Sequence, residues 1–307
     1  MAENLRLAVA LNGYGVEHDE PDGMWRELLG WSDIANLARL AERLAYGRIF
    51  APDIGGWEAF TSLAGMAGVT ERIGLATGVV RLDVRHPHTL AMASASLQEV
   101  SGGRFALGVG SGRPIGWTRG RVEALHDLLA SGRAVIEDSG GTVGIETDWA
   151  AAGPPPARVL LAALGPRMVR LAGEVADGVI LNWCTPERVA EARAEVGDGV
   201  SISVYVRACL SHVDEHAAEA LRIAAARYVA LEPYRRQFER LGVDLRPEAA
   251  AAATCVRGDR DRALARLAEY GRAGADEVVV YPVPAGEAVS SISGTLMALA
   301  PEPTLEP

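Results

Sequence analysis

The chain has 307 residues, 49% of them hydrophobic and 23% charged, the profile of a soluble globular protein long enough to bury a large core. A formal net charge of −10 and a pI near 5.2 leave no basic face for nucleic acid, and no apolar run approaches the roughly 20 residues of a membrane span. All 30 basic residues are Arg, so chemistry that needs an amine at a defined place is excluded: pyridoxal-phosphate enzymes, Schiff-base aldolases, protein kinases and Walker-A nucleotide binders.

The stretch Leu5–Leu11 reads as a first strand rather than as a signal peptide, since no small-residue cleavage site follows it. Residues 12–31 read as a long loop. A helix follows Ser32 as N-cap, with Ile34, Leu37, Leu40, Ala41 and Leu44 at helical spacing. Gly47–Ala51 is a second strand, Trp57–Val69 a helix and Ile73–Val80 a third strand. Pro87 opens a helix from its favoured first position, Ser101-Gly102-Gly103 ends it, and Arg104–Val109 is a fourth strand. Strands at Val159–Ala163, Val179–Asn182, Ser201–Ala208 and Glu277–Tyr281 follow. Helices read at Arg167–Ala176, Pro186–Val196, Asp214–Leu231, Asp259–Ala273 and Gly286–Leu299.

Apolar runs such as Val278-Val279-Val280 suit a parallel sheet buried on both faces. Eight β/α alternations therefore predict an α/β fold: a single (β/α)₈ TIM barrel spanning 1–307. Asp138–Ala157 reads as an insertion after the fourth strand, and Glu232–Thr254 as a helical insertion before the eighth. An open doubly wound sheet is the competing arrangement. Three cysteines, Cys184, Cys209 and Cys255, are odd in number and far apart, which suits a reducing cytoplasm better than a disulfide framework.

In such a barrel the chemistry belongs at the C-terminal strand ends. Those ends carry Tyr14, Glu17 and His18, then Asp53 with Trp57, then Thr77-Gly78-Val79 and Arg81. The glycines Gly108, Gly110 and Gly112 lead to Arg113, Ala163-Leu164-Gly165-Pro166 to Arg167, and Asn182-Trp183-Cys184 to Thr185. The set is rich in Gly, aromatics and amides and poor in metal ligands, which fits a cleft for a flat ring and a small-molecule substrate. Gly165-Pro166-Arg167 opens a helix whose first-turn N–H groups and dipole can hold an anion, with Arg167 or Thr185 in support; an ordinary helix start is the plainer reading. Asp53 is either a carboxylate of the catalytic face or the cap of the helix near Trp57. Gly108-x-Gly110-x-Gly112 is a weak dinucleotide signal, because Pro114 interrupts it and no acid ends a following strand. Neither His86-Pro87-His88 nor the pair His212/His216 completes a zinc set, so no metal is expected. Acyl transfer is unlike this chain: it has no G-x-S-x-G elbow, and Ser111 lacks a base.

Two long motifs resemble a known family. One runs from Arg85-His86-Pro87 through Ser101-Gly102-Gly103-Arg104-Phe105 to Gly108-Val109-Gly110-Ser111-Gly112. The other runs from Ala163-Leu164-Gly165-Pro166-Arg167-Met168 through Leu171-Ala172-Gly173-Glu174 and Ala176-Asp177-Gly178 to Asn182-Trp183. Together with the closing Ala273-Gly274-Ala275-Asp276-Glu277, they resemble the bacterial-luciferase-like superfamily and, within it, the coenzyme F420-dependent oxidoreductase branch. The resemblance implies a homodimeric barrel binding F420, or alternatively FMN, at its mouth. It also implies a non-prolyl cis peptide at Gly78-Val79 behind the ring, Asp53 bonded to the ring system, and the phosphate held at Ala163–Arg167. Thr77, Asn182, Trp183 and Thr185 complete the expected cofactor contacts.

The sugar-phosphate dehydrogenases of this branch carry a His and a Glu where this chain has Ile54 and Arg113, and phosphate-binding lysines that it lacks, so a sugar phosphate is not the expected substrate. The expectation is hydride transfer between reduced F420 and a C=C, C=N or C=O bond, with Tyr14, His18 or Glu58 as proton source and Arg113 stabilising negative charge. An FMN-dependent monooxygenase and a non-catalytic or cofactor-free barrel are the alternatives.

Overall fold

In the computed structural model the described residues are 5–11, 13–20, 23–53, 56–138, 141–147, 155–211 and 213–301. Eight parallel strands close into a ring, which excludes the open sheet. They are β1 (Arg6–Ala10), β4 (Arg48–Ala51), β5 (Gly74–Thr77), β7 (Phe105–Gly110), β10 (Arg158–Ala162), β11 (Gly178–Asn182), β12 (Ser201–Cys209) and β14 (Glu277–Pro282). The ring shuts where β14 meets β1, with Leu7 opposite Val278 and Ala8 opposite Val279. Each of these strands falls on an apolar run that the sequence alternation marks.

The helices α1 (Trp31–Arg43), α2 (Ala59–Ala67), α3 (Pro87–Val100), α4 (Ile115–Ser131), α5 (Pro166–Val175), α6 (Pro186–Val196), α7 (Asp214–Val229), α8 (Glu232–Arg240), α9 (Pro247–Thr254), α10 (Arg260–Arg272) and α11 (Ala288–Ala298) follow in chain order. The principal core lies between strands and helices, and includes Val9, Ile49, Leu75, Leu107, Val159 and Val204 against Ile34, Leu63, Leu90, Leu125 and Leu267. Among the described residues no helix is long and apolar enough to cross a membrane.

Three local readings need correction. The expected loop over 12–31 contains an antiparallel hairpin of β2 (Tyr14–Glu20) and β3 (Gly23–Leu28), which pairs Glu17 with Arg26 and His18 with Trp25. The N-cap of α1 is Gly30 rather than Ser32, because Asp33 Oδ2 accepts the Gly30 N–H at 3.2 Å and starts the helix earlier. The third barrel strand stops at Thr77; after the cis peptide Gly78–Val79 it resumes as β6 (Val80–Arg81), beside Val109 and Gly110 of β7.

A second hairpin of β8 (Arg133–Asp138) and β9 (Gly141–Glu146) lies between α4 and β10; it starts ahead of the interval Asp138–Ala157 read as an insertion and reaches into it. Helices α8 and α9 fill the later interval. With α7, they build a second core of Leu221, Phe238 and Ala250 around Trp183, at the C-terminal ends of β11 and β12, where β13 (Val256–Arg257) also pairs with β12.

Period-2 alternation points every second strand residue into the barrel. The middle layer is Ala8, Ala10, Phe50, Ala76, Ala106, Leu160, Ile180, Tyr205 and Val279. Below it, Arg48 Nη1 pairs with Glu277 Oε2 at 2.9 Å and Ser203 Oγ donates to the same oxygen at 3.0 Å, so the floor carries a charge pair matched by a hydroxyl.

Candidate active site

Above the middle layer the barrel mouth has two unlike sides. On one side stand Gly78, Gly108, Gly110 and Ala162; on the other stand Asn182, Arg207 and Tyr281. The small side is small by necessity. A Cβ on Gly78 would run into the Tyr205 hydroxyl and lie 2.9 Å from Phe50 Cβ, and one on Gly110 would lie 2.9 Å from Val79 Cγ2. The result is a wall of backbone, pinned where Tyr205 Oη donates to Gly78 O at 3.1 Å. Burial raises the Tyr205 pKa well above its ordinary value, so this hydroxyl keeps its proton.

The opposite side is built round Arg207, which is only 4% exposed. Its guanidinium carbon lies 4.4 Å from the Trp183 ring centroid, 4.9 Å from that of Tyr228 and 4.8 Å from that of Tyr281. Arg207 Nη1 donates to Asn182 Oδ1, and Nη2 to Tyr228 Oη at 3.2 Å. Asn182 Nδ2 in turn donates to Tyr234 Oη at 2.9 Å, while Gln237 Nε2 donates to the carbonyls of Asn182 and Trp183 at 2.8 and 2.6 Å. Burial pushes the Tyr234 pKa up to about 12. This constellation escaped the sequence reading, although one signal was present: in SISVYVRAC, Arg207 shares the inward face with Ser203 and Tyr205 of an otherwise apolar strand.

A charged chain follows β4 and β6. Arg85 Nη1 binds Asp53, and Arg85 Nη2 lies 3.1 Å from Glu58 Oε1. Glu58 is also the N-cap of α2, accepting from Thr61 N at 2.7 Å and Thr61 Oγ1 at 2.9 Å. Burial acts to raise its pKa, but those hydrogen bonds, one from Phe60 N and the Arg85 charge outweigh it and hold Glu58 below the usual carboxylate range. Glu58 is therefore an ionised acceptor at neutral pH, which corrects its assignment as a proton source. It also takes the capping role that was the alternative for Asp53. Arg113 lines a cavity of about 480 Å³ with Asp83, Arg85, Trp117 and Arg121. Asp83 is held below the usual range first by the hydrogen bond from Arg81, with the Arg113 charge adding to it.

The turn after β10 is open. Gly165 caps α5 with φ −86° and ψ 161°, and Met168 and Val169 N–H groups both return to its carbonyl at 3.1 Å. Pro166 offers no N–H, Arg167 is exposed, and a Cβ added to Gly165 meets nothing within 4 Å. Leu164 is half-buried beside it, while Ala163 is buried and donates its N–H to Ile180 O at 3.0 Å.

Other expected contacts sit elsewhere. Thr77 is fully buried: its Oγ1 donates to Gly108 O at 2.7 Å and accepts from Gly108 N at 2.8 Å, so it ties β5 to β7. Trp183, 1% exposed, packs on Tyr228, Phe238 and Arg207. Thr185 is the N-cap residue of α6 and its hydroxyl bonds Glu187, lowering the carboxyl pKa. Gly78, Val79 and Asn182 are half-buried at the mouth. Tyr14 and His18 fall on β2, and their side chains lie outside the described residues, as do Ile54 and His212. His86 caps α3, its Nδ1 accepting from His88 N at 3.3 Å. Among the described residues no cluster of His, Cys, Asp and Glu could hold a metal ion.

The fold is a closed (β/α)₈ barrel whose mouth sets a glycine-rich backbone side against a basic and aromatic one. The sequence profile of the luciferase-like monooxygenase family matches residues 15–277, and the chain belongs to that family. It is 29% identical, over 74% of its length and 76% of the relative's, to a 5,10-methylenetetrahydromethanopterin reductase of Methanolobus tindarius. It is 32% identical to an F420-dependent glucose-6-phosphate dehydrogenase of Nakamurella multipartita, over 50% of this chain and 53% of that one. The solved coenzyme F420-dependent tetrahydromethanopterin reductase of Methanopyrus kandleri superposes with a TM-score of 0.75 at 20% identity, over 99% of this chain and 100% of that one. An EDTA monooxygenase from Chelativorans superposes with a TM-score of 0.73 at 16% identity, covering 99% of this chain and 96% of the other, so the fold itself spans both chemistries.

Proposed function

We propose that the protein is a coenzyme F420-dependent oxidoreductase, in which the bound deazaflavin supplies or accepts a hydride while the substrate's C=C, C=N or C=O bond is reduced or formed. The observation that carries this reading is the pairing of family membership with F420-linked relatives on a mouth whose residues fit such a group. The fit rests on two features: close backbone packing at Gly78, Gly108 and Gly110, which leaves main chain rather than side chains on this side of the mouth, and an open turn at Gly165–Arg167 beside an exposed guanidinium, suited to an anionic tail. Val79 closes the wall, Asp53 presents its carboxylate from the end of β4, and Leu164 flanks the turn.

The chain's own contributions follow from its contacts. Arg85, held by Asp53 and Glu58, places a fixed positive charge at the rim. Arg113 adds a second in the adjacent cavity, where it stabilises developing negative charge. Tyr234 Oη accepts from Asn182, so its own O–H is available to donate, and burial raises its pKa and keeps it protonated; we assign it as a candidate proton donor. Trp183, Tyr228 and Tyr281 keep water from this flank.

The test is anaerobic mixing of reduced F420 with a panel of unsaturated compounds, followed by the return of the oxidised cofactor's absorbance. Turnover with at least one compound, slowed about a hundredfold in Tyr234→Phe, supports the reading. Failure to bind F420, with tight binding of FMN instead, contradicts it.

A further inference from the structure

Among the described residues Arg121, Arg188 and Arg207 are buried and Arg48 partly so, and the last three differ in their company. Arg48 pairs with Glu277 at 2.9 Å. Arg188, fully buried, lies 3.1 Å from Glu195 and 3.4 Å from Glu191. Arg207, 4% exposed, has neutral partners among the described residues: an amide oxygen, a phenol oxygen and three ring faces. Among the described residues no carboxylate pairs with it. Buried charges are ordinarily matched by an opposite charge, and ring faces offset only part of the desolvation. A guanidinium carries five N–H donors in a planar fork; the two named bonds leave capacity for a bidentate acceptor.

The cage also belongs to the mouth. Tyr281, one of its walls, lines a small cavity with Gly13, Leu29 and Pro52, and Tyr205, one inward position below Arg207 on β12, reaches Gly78 O. Arg207 on β12 therefore stands across the barrel mouth from Gly78, Gly108 and Gly110.

We propose that the substrate carries a carboxylate, and that this group docks on Arg207 as the counter-ion the cage lacks. The proposal rests on the oxidoreductase reading above for its substrate role. It narrows the substrate class to unsaturated organic acids and assigns Tyr228 and Asn182 to holding the guanidinium in place.

The test uses the cofactor-free protein and two probes, crotonate and its uncharged twin crotonamide, titrated by calorimetry. Crotonate is expected to bind about tenfold or more tightly than crotonamide, a preference that disappears in Arg207→Gln. A second variant guards against misfolding of the first. Asn182→Asp sets a carboxylate beside the guanidinium, and is expected to raise the melting temperature while abolishing the crotonate preference. Equal affinity for the two probes, no binding of either, or an Asn182→Asp protein that still prefers crotonate overturns the proposal. F420 binding is read separately from the cofactor's own absorbance. Loss of that signal with the crotonate preference intact refutes the cofactor reading alone, and the reverse pattern refutes the carboxylate site alone.

Discussion

The floor and the mouth of this barrel each hold an arginine pointing inward from a strand, partly buried at the floor and buried at the mouth, and they treat it in opposite ways. At the floor, Arg48 is matched by Glu277, only 6% exposed, and Ser203 Oγ satisfies the same carboxylate. At the mouth, Arg207 is surrounded by amide, phenol and ring faces without a carboxylate among the described residues. The floor charges are closed on each other. The Arg207 charge has neutral partners, which is the feature the carboxylate proposal uses.

The sharpest way to break this contrast is to remove a partner from each end. Glu277→Ala strands a partly buried guanidinium and is expected to cost about 3 kcal/mol of unfolding free energy in urea titrations. Arg207→Met leaves only neutral groups behind and is expected to change stability by about 1 kcal/mol or less, or to raise it. Equal losses would erase the distinction.

The backbone wall gives the next effect. Gly78→Ala drives a methyl group into the Tyr205 hydroxyl, with an expected cost of about 1–3 kcal/mol and weakened ring binding. Adding Tyr205→Phe removes the clashing oxygen, and the melting temperature is expected to recover in part.

A smaller effect lies on the outside of the barrel, where Glu42 Oε1 accepts from the backbone N–H groups of Glu71, Arg72 and Ile73 at 2.9, 2.6 and 3.0 Å. Burial acts to raise its pKa, but these donors and the Arg72 charge prevail and lower it, as Thr61, Phe60 and Arg85 lower that of Glu58. A depressed folded-state pKa contributes stability above the unfolded value of 4.5, lost as pH falls through the folded value. Acid titration of Glu42→Gln should then show a shallower decline below about pH 4.5 than the parent, by about 1 kcal/mol at most.

How much of this was legible beforehand follows from the physics of each element. Strands such as Glu277–Tyr281 are buried on both faces and announce themselves as apolar runs, so the barrel could be read directly. The β2–β3 hairpin could not, because it joins polar residues such as Glu17 and Arg26 across strands, and its turn signal, Pro21-Asp22-Gly23, was absorbed into a loop. The helix-start motif at Gly165 was visible as local chemistry. Thr77 and Trp183 were placed on the ligand by position alone, whereas one spends its hydroxyl on Gly108 and the other is buried under α7 and α8. The Arg207 cage is assembled from residues at 182, 183, 228 and 281, a convergence that only the folded barrel reveals.

The most direct measurement of the central claim is F420 affinity in Gly165→Glu. Gly165 has an extended backbone any residue can adopt and open space beyond it, so the variant should melt with the parent, while its carboxylate would repel an anionic tail held at this turn as proposed. The account predicts an unchanged melting temperature and F420 binding weakened about tenfold or more. Unchanged F420 affinity in a fully folded variant would contradict it.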